Sequence, residues 1–356
     1  MPETTRQFKH GDYTVGWICA LPETDLVASA AMLDEEHPTL PAADPQDANS
    51  YLLGQIGDHN VVIACLPPKT TGKVSAATVA KDMLRSFPAI RFGLMVGIGG
   101  GVPCHYKQGA NTTECSEDEE DSDDETEDTH DLRLADVVVS LHSKSTEAVV
   151  QYDFGKSLQG KEFVHTGGKL NKPPGILLSA VGRLQAQHAL KGHRISELLI
   201  KMRSDYPASA AKFQYPGSEK DLLFKPDVVH LERRRSCQAC RGPNNINLVI
   251  RKERHGSAPR IHYGTIGSGD QAMGDALLRD KWAQKEGIMC FEMEAAGLMD
   301  SFPCLVIRGI SNYADSHKNK IWQPYAAATA AAYAKELLLV IPGQGTTDQL
   351  PVKQCT

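Results

Sequence analysis

Apolar residues along this chain gather in short runs, each followed by a stretch with apolar positions at helical spacing. "YTVGWICAL" (13–21) predicts a buried strand, and "DLVASAAMLDEEH" after it a helix. "HNVVIACLP" (59–67) predicts a second strand, and "GKVSAATVAKDMLRSF" a second helix. "IRFGLMVGIGGGVP" (90–103) is a strand running into clustered glycines. "ADVVVSLHS" (135–143), "PRIHYGTIGSGD" (259–270) and "PCLVIRGIS" (303–311) predict further strands. "WQPYAAATAAAYAKELLLVI" (322–341) predicts a long helix that stops before Pro342-Gly343. Such alternation of strand and helix is the pattern of a three-layer α/β/α domain.

Composition changes that picture little. A hydrophobic fraction of 41% is ordinary for a globular protein. No apolar run reaches the roughly 18 residues a membrane helix needs. The polar start, "MPETTRQFKHGDY", predicts no secretory signal. Nine cysteines form no close-spaced framework, and Cys19, Cys65, Cys290 and Cys304 lie in apolar runs, as reduced thiols of a cytoplasmic protein would. Neither a nucleic acid nor a membrane is expected as partner.

Charge matters more. The net charge of −6 hides an acidic tract at 114–131, "ECSEDEEDSDDETEDTHD", without Lys or Arg. Setting its acids aside leaves the remainder at about +6. The tract predicts a solvated, disordered insertion, 111–132, inside one domain. Residues 187–258 predict a second, irregular insertion, and 1–12 and 342–356 tails. Within it Cys237 and Cys240 form a CxxC with His230 upstream. A zinc site needs about four ligands, and a second pair is not evident nearby, so the pair is expected to be an unliganded loop.

Three segments could carry chemistry. "MCFEMEAAGLMD" (289–300) sets Glu292 and Glu294 in an apolar surround, where carboxylates are costly without partners. Acids at a helix start account for them blandly. Alternatively one grips a hydroxylated ligand such as a sugar through charge-assisted bonds. "VGIGGGVP" is a glycine-rich turn where backbone can approach a ligand, although it matches neither the triphosphate-loop nor the dinucleotide fingerprint. "RGISNYADSHK" (308–318) opens a strand end into a polar loop carrying Asn312 and Asp315.

In order, "VGWICALPETD", "TTGKVSAA", "VGIGGGV", "DVVVS", "YGTIGSGDQAM", "FEMEAAGLMD" and "VIRGISNYAD" resemble the nucleoside phosphorylase and nucleosidase family. The resemblance covers 13–341, broken by the two insertions. It is closest to the domain that fungal proteins place ahead of NTPase or ankyrin modules. Neither module follows here, so a stand-alone chain is expected. The resemblance implies a single α/β/α domain with a mixed central sheet, and cleavage of a ribose–nucleobase bond. It implies no metal, no cofactor, and a homo-oligomer, with a dimer favoured.

Residue by residue, the resemblance makes Glu294 the carboxylate that binds the ribose hydroxyls, with Met293 beneath the sugar. Glu292, Gly99, Gly100 and Ser311 join it as substrate-binding residues. Phe291, Met273 and Trp322 fall where the family lines the base or the far end of the ribose, and Tyr152 and Phe154 add aromatic surface. Phosphorylases carry an arginine after the first strand; here that region reads "ALPETDLVAS". Nucleosidases place a water-activating glutamate there, for which Asp25 is the nearest match and Glu23 the rival. Either carboxylate would repel phosphate.

Asn312 stands where purine-cleaving members commonly have an aspartate that protonates N7, and an amide has no titratable proton to give. Asp315 matches a second acid, expected to serve structure. Three accounts of Asn312 stay open: a natural residue recognising a 6-oxopurine, a slow or binding-only protein, or an engineered substitution. The function expected is hydrolysis of purine nucleosides or nucleotides to free base and ribose. A phosphate-dependent phosphorylase and a non-catalytic nucleoside-sensing module are the alternatives.

Overall fold

A computed structural model describes residues 8–103, 131–143, 146–160, 163–167, 170–230, 236–254 and 256–343. The predicted acidic insertion, 111–132, lies outside them apart from residues 131 and 132, as do most of both tails.

The apolar runs become strands. β1 (Val15–Cys19) leads through a widened π turn, Pro22–Leu26, into the short helix α1 (Val27–Ala30). β2 (Glu35–His37), β3 (Tyr51–Ile56) and β4 (His59–Cys65) precede α2 (Lys73–Ser86) and the long β5 (Phe92–Gly101). Then come β6 (Val137–Ser140), β7 (Val149–Gln151) and a small antiparallel pair, β8 (Gly155–Lys156) with β9 (Val164–His165). Helices α3 (Gly175–Lys191), α4 (Ile195–Asp205) and α5 (Pro207–Ala210) follow. The chain closes with β10 (Ile261–Ser268), α6 (Ala276–Glu286), β11 (Ile288–Glu292), β12 (Cys304–Asn312) and α7 (Gln323–Val340).

Three local expectations change. The helix predicted after β1 ends at Ala30, because Asp34 turns back to accept the Gly57 N–H at 2.8 Å and the Lys335 ammonium at 2.6 Å. Residues Glu35–His37 then pair antiparallel with β3 instead. The start of the region expected to be irregular, 187–258, is helical through α3 and α4; Ile195, Leu198, Leu199 and Met202 are buried where α4 packs on α7. Glu292 ends a strand, and the segment after it makes only a short 3-10 turn, Ala295–Gly297.

The sheet is mixed. β4, β1, β5 and β12 run parallel, while β2 and β3 add antiparallel beyond β4. On the other side β6 runs antiparallel to β12, and β10 and β11 continue parallel to β6, with β7 beside β10. β11 then pairs antiparallel with the end of β5, Cys290 opposite Gly101 and Phe291 opposite Gly100. The sheet thus closes on itself at one end, and the ends of β5, β11 and β12 converge there.

Strand alternation assigns the layers. Gly16, Gly93 and Cys304 are in register, and a Cβ at Gly16 would meet Phe302 and Met83 of α2. Gly309, an odd number of residues from Cys304, faces the opposite side, against α7. Behind α7 lie α3 and α4, so that helix is buried almost all round. No helix among the described residues is long and apolar enough to cross a membrane.

The β12–α7 contact is close enough to test. A Cβ at Gly309 would stand 1.8 Å from the Ala326 main-chain oxygen, so α7 would have to move. Gly309→Ala is expected to lower unfolding stability by about 3 kcal/mol in urea titration. Gly182→Ala, on the open face of α3 with nothing within 4 Å, is expected to raise it by about 0.5–1 kcal/mol.

Candidate active site

At the closed end of the sheet lies a cavity of about 190 Å³. Asp25 enters it from the π turn, Gly99 and Gly100 from β5, and Phe291, Glu292, Met293 and Glu294 from the end of β11. Arg308, Ser311 and Asn312 line it from β12, and Met273 from the loop before α6.

Arg308 organises the charges. It is 1% exposed, on a strand whose nine residues are all buried. Its Nη2 bonds the Glu292 carboxylate and lies 3.4 Å from Glu294 Oε2. Burial works against its charge, but Glu292, Glu294 and Asp25 hold it protonated. Glu292 is fully engaged: besides Arg308, its oxygens accept the Glu294 N–H at 3.1 Å and the Ala295 N–H at 3.0 Å. Glu294 is less so; its other oxygen accepts the Gly72 N–H at the start of α2, at 3.3 Å. Burial, reinforced by Glu292, pushes the Glu294 carboxyl above its usual range against the pull of Arg308.

Asp25 sits across Gly97 from Arg308. A Cβ at Gly97 would stand 2.7 Å from both Arg308 Nη1 and Asp25 Oδ2, so this strand position must lack a side chain. Oδ2 accepts the Leu21 N–H at 3.2 Å, whereas Oδ1 is buried with no partner among the described residues. Such an orphaned oxygen beside a cavity marks a place for a ligand or water. Burial drives the carboxyl up to about 7, with Arg308 opposing. The rival acid Glu23 points to solvent, 4.0 Å from Lys212.

Asn312 has a defined amide orientation. Oδ1 accepts the Ala314 N–H at 2.9 Å, two residues on, and Nδ2 donates to Ser311 Oγ at 3.0 Å. Gly100 makes room for it: a Cβ there would approach Oδ1 to 3.0 Å. One amide hydrogen remains for a ligand acceptor. The side chain can hydrogen-bond a base but cannot protonate it.

No family model matches the chain. A nucleotide-binding leucine-rich repeat (NLR)-like protein of Hyaloscypha variabilis is 43% identical over 333 residues, covering 94% of this chain and 30% of that protein. A 5′-methylthioadenosine/S-adenosylhomocysteine nucleosidase of Mycobacterium bovis is 36% identical over 92 residues, 24% of this chain and 36% of the enzyme. The chain thus spans about a third of the length of these curated relatives. A Helicobacter pylori 5′-methylthioadenosine/S-adenosylhomocysteine nucleosidase, solved with a pyrrolopyrimidine-methyl pyrrolidinol bound, superposes with a TM-score of 0.53 at 15% identity, over 92% of this chain and 98% of the enzyme. This chain has the nucleoside phosphorylase/nucleosidase fold.

Within that fold, the structure brings together Asp25, Glu292, Met293, Glu294, Phe291, Gly99, Gly100, Met273, Ser311 and Asn312. It does not bring Trp322, Tyr152 or Phe154 to the cavity. Trp322 is core, its indole N–H given to the Lys220 oxygen at 3.1 Å and its ring edge-on to Tyr215. Tyr152 stands behind Phe291 with ring centroids 5.2 Å apart, and Phe154 is exposed. Asp315 lines a second cavity, of about 290 Å³, which meets the first at Ser311 and Asn312. Sequence reasoning missed Arg308, Gln271 and Lys318. Arg308 had a signal, a lone charge inside the apolar run "CLVIRGI", which only buried carboxylates could compensate. Lys318 and Gln271 lie in polar loops and had none.

Asp25 makes a stability prediction. Its pKa in the fold, about 7, lies above the unfolded value near 3.9, so between about pH 4 and 7 the folded chain keeps a proton that the unfolded chain has lost. Stability therefore falls as pH rises through that window. Asp25→Asn removes the titration, and is expected to stabilise the chain by about 4 kcal/mol at pH 8 and far less at pH 4. Denaturant titrations at the two pH values check it.

Proposed function

We propose that this chain hydrolyses the N-glycosidic bond of purine nucleosides or nucleotides. The observation that carries the reading is that Asp25, whose buried Oδ1 has no partner among the described residues, lines a cavity that also holds Glu294 and an arginine already committed to Glu292. Asp25 takes a proton from water, whose oxygen bonds to C1′ as the C1′–N9 bond breaks and its electrons pass to the base. A carboxylate poised near 7 is well matched to that task. Glu294 accepts hydrogen bonds from the ribose hydroxyls. Its charge, with that of Asp25, favours the oxocarbenium-like sugar over bound phosphate. Asn312 donates a hydrogen bond to the departing base without giving up its proton. The fold shared with a nucleosidase and the short nucleosidase-like stretch support the substrate class. Two copies are expected to associate as a homodimer.

One observation favours a second reading: the amide at Asn312 leaves base departure without a titratable acid. The module would then bind a nucleoside and signal through partners, as befits a relative of an NLR-like protein.

Incubation with adenosine, inosine or guanosine in phosphate-free buffer is expected to release free base. The rate should rise with pH through about 7 as Asp25 ionises, and that limb should vanish in Asp25→Asn. Asn312→Asp, which keeps the shape of the side chain, is expected to accelerate release by about 10²–10⁴-fold. A strict phosphate requirement would overturn hydrolysis. Calorimetric binding of a nucleoside that neither form cleaves would establish the sensing module instead.

A further inference from the structure

The CxxC segment folds as a 3-10 turn, Cys237–Arg241. In that geometry side chains three apart eclipse, so Cys237 and Cys240 present their thiols to one side. The loop after β12 lies against them. Cys237 Sγ donates to the His317 main-chain oxygen at 3.6 Å, and Cys240 Sγ lies 3.0 Å from His230 Nδ1. The donor atoms of His230, Cys240 and His317 all fall within 4.8 Å of one another.

His317 has no other employment. It is 5% exposed, and neither ring nitrogen has a hydrogen-bond partner among the described residues. Phe224 stacks on its ring at 3.7 Å and 7°, fixing its plane. Asp315 Oδ2 stands 3.9 Å from Nδ1, too far for a hydrogen bond but near enough for its charge to favour a cation beside the ring. Burying a polar group without a partner is costly, and a bound ion would recover that cost.

We propose that His230, Cys237, Cys240 and His317 bind one zinc ion. Two thiolates and two imidazoles are a soft, four-ligand set that suits tetrahedral Zn²⁺ over harder cations. Bond lengths of about 2.0–2.3 Å would set the donors roughly 3.5 Å apart, so His230, Cys240 and His317 draw in by about an ångström, and Cys237 Sγ, which lies outside that cluster, turns away from the His317 oxygen to complete the set. With four protein ligands there is no open position, and the ion acts as a clamp. It ties the 3-10 turn to the loop leaving Asn312, through the second cavity that Cys237 and His317 share with Asn312.

The test is metal analysis of the full chain, prepared without metal-affinity steps and equilibrated with ZnCl₂, then dialysed. About one zinc per chain is expected, falling more than tenfold in Cys240→Ser and in His317→Gln, and unchanged in Cys65→Ser. Chelation should expose two further thiols to a thiol reagent and lower the Tm, and ZnCl₂ should reverse both. Less than a tenth of a zinc per wild-type chain overturns the proposal, whatever the variants do. So does zinc that persists in either ligand variant, or a disulfide between Cys237 and Cys240 in the zinc-treated chain.

Discussion

A guanidinium buried in the middle of a sheet constrains everything around it. Arg308 is the one charged residue of a fully buried strand, and desolvating its charge would be prohibitive without nearby anions. Glu292 answers that demand at the end of β11, and two backbone N–H groups fix its carboxylate in turn. Because the bond joins β11 to β12 while β11 also pairs with β5, it holds shut the end of the sheet where the cavity forms.

Once Glu292 is satisfied, two further carboxylates share the field of the same cation. Glu294 has one weak backbone bond and a distant edge of the guanidinium, and Asp25 has one oxygen without a partner among the described residues. Both are pushed toward protonation by burial. Carboxylates so placed cost stability, and perturbed acids lining a cavity are candidates for chemistry. The glycines of β5 make it possible: Gly97 leaves room for Asp25 and Arg308, and Gly100 for the Asn312 amide.

Asn312 occupies the seam between two environments. On one side lies the carboxylate-lined cavity, on the other the second cavity with its histidine and cysteines. Its amide is locked by Ala314 and Ser311, and Ala314 adopts a left-handed φ of 51° to reach it. A non-glycine residue in that conformation stores strain of order 1–3 kcal/mol. The loop from 312 to 318 is thus built to hold one arrangement rather than to sample several.

The sequence alone marked β1, β4, β5, β6, β10 and β12, as apolar runs of strand length bounded by turn residues, but not β2, β3, β7 or β11. The grouping of Asp25, Glu294, Asn312 and the β5 glycines came from the resemblance to nucleosidases, whose motifs can be matched at any distance along the chain. Local pattern could not show that α1 stops early, since Asp34 is drawn off by Gly57 and Lys335, remote in sequence. Nor could it separate Glu292 from Glu294, two residues apart, because their difference is which of them meets Arg308 head-on. The same holds for Asp25 and Glu23, neighbours on one turn, of which the fold buries one and leaves the other in water. Trp322, Tyr152 and Phe154 have ring chemistry suited to a base, but where a ring points is decided by packing. Tertiary structure settled these because burial and pairing are properties of the space between elements, which no single segment contains.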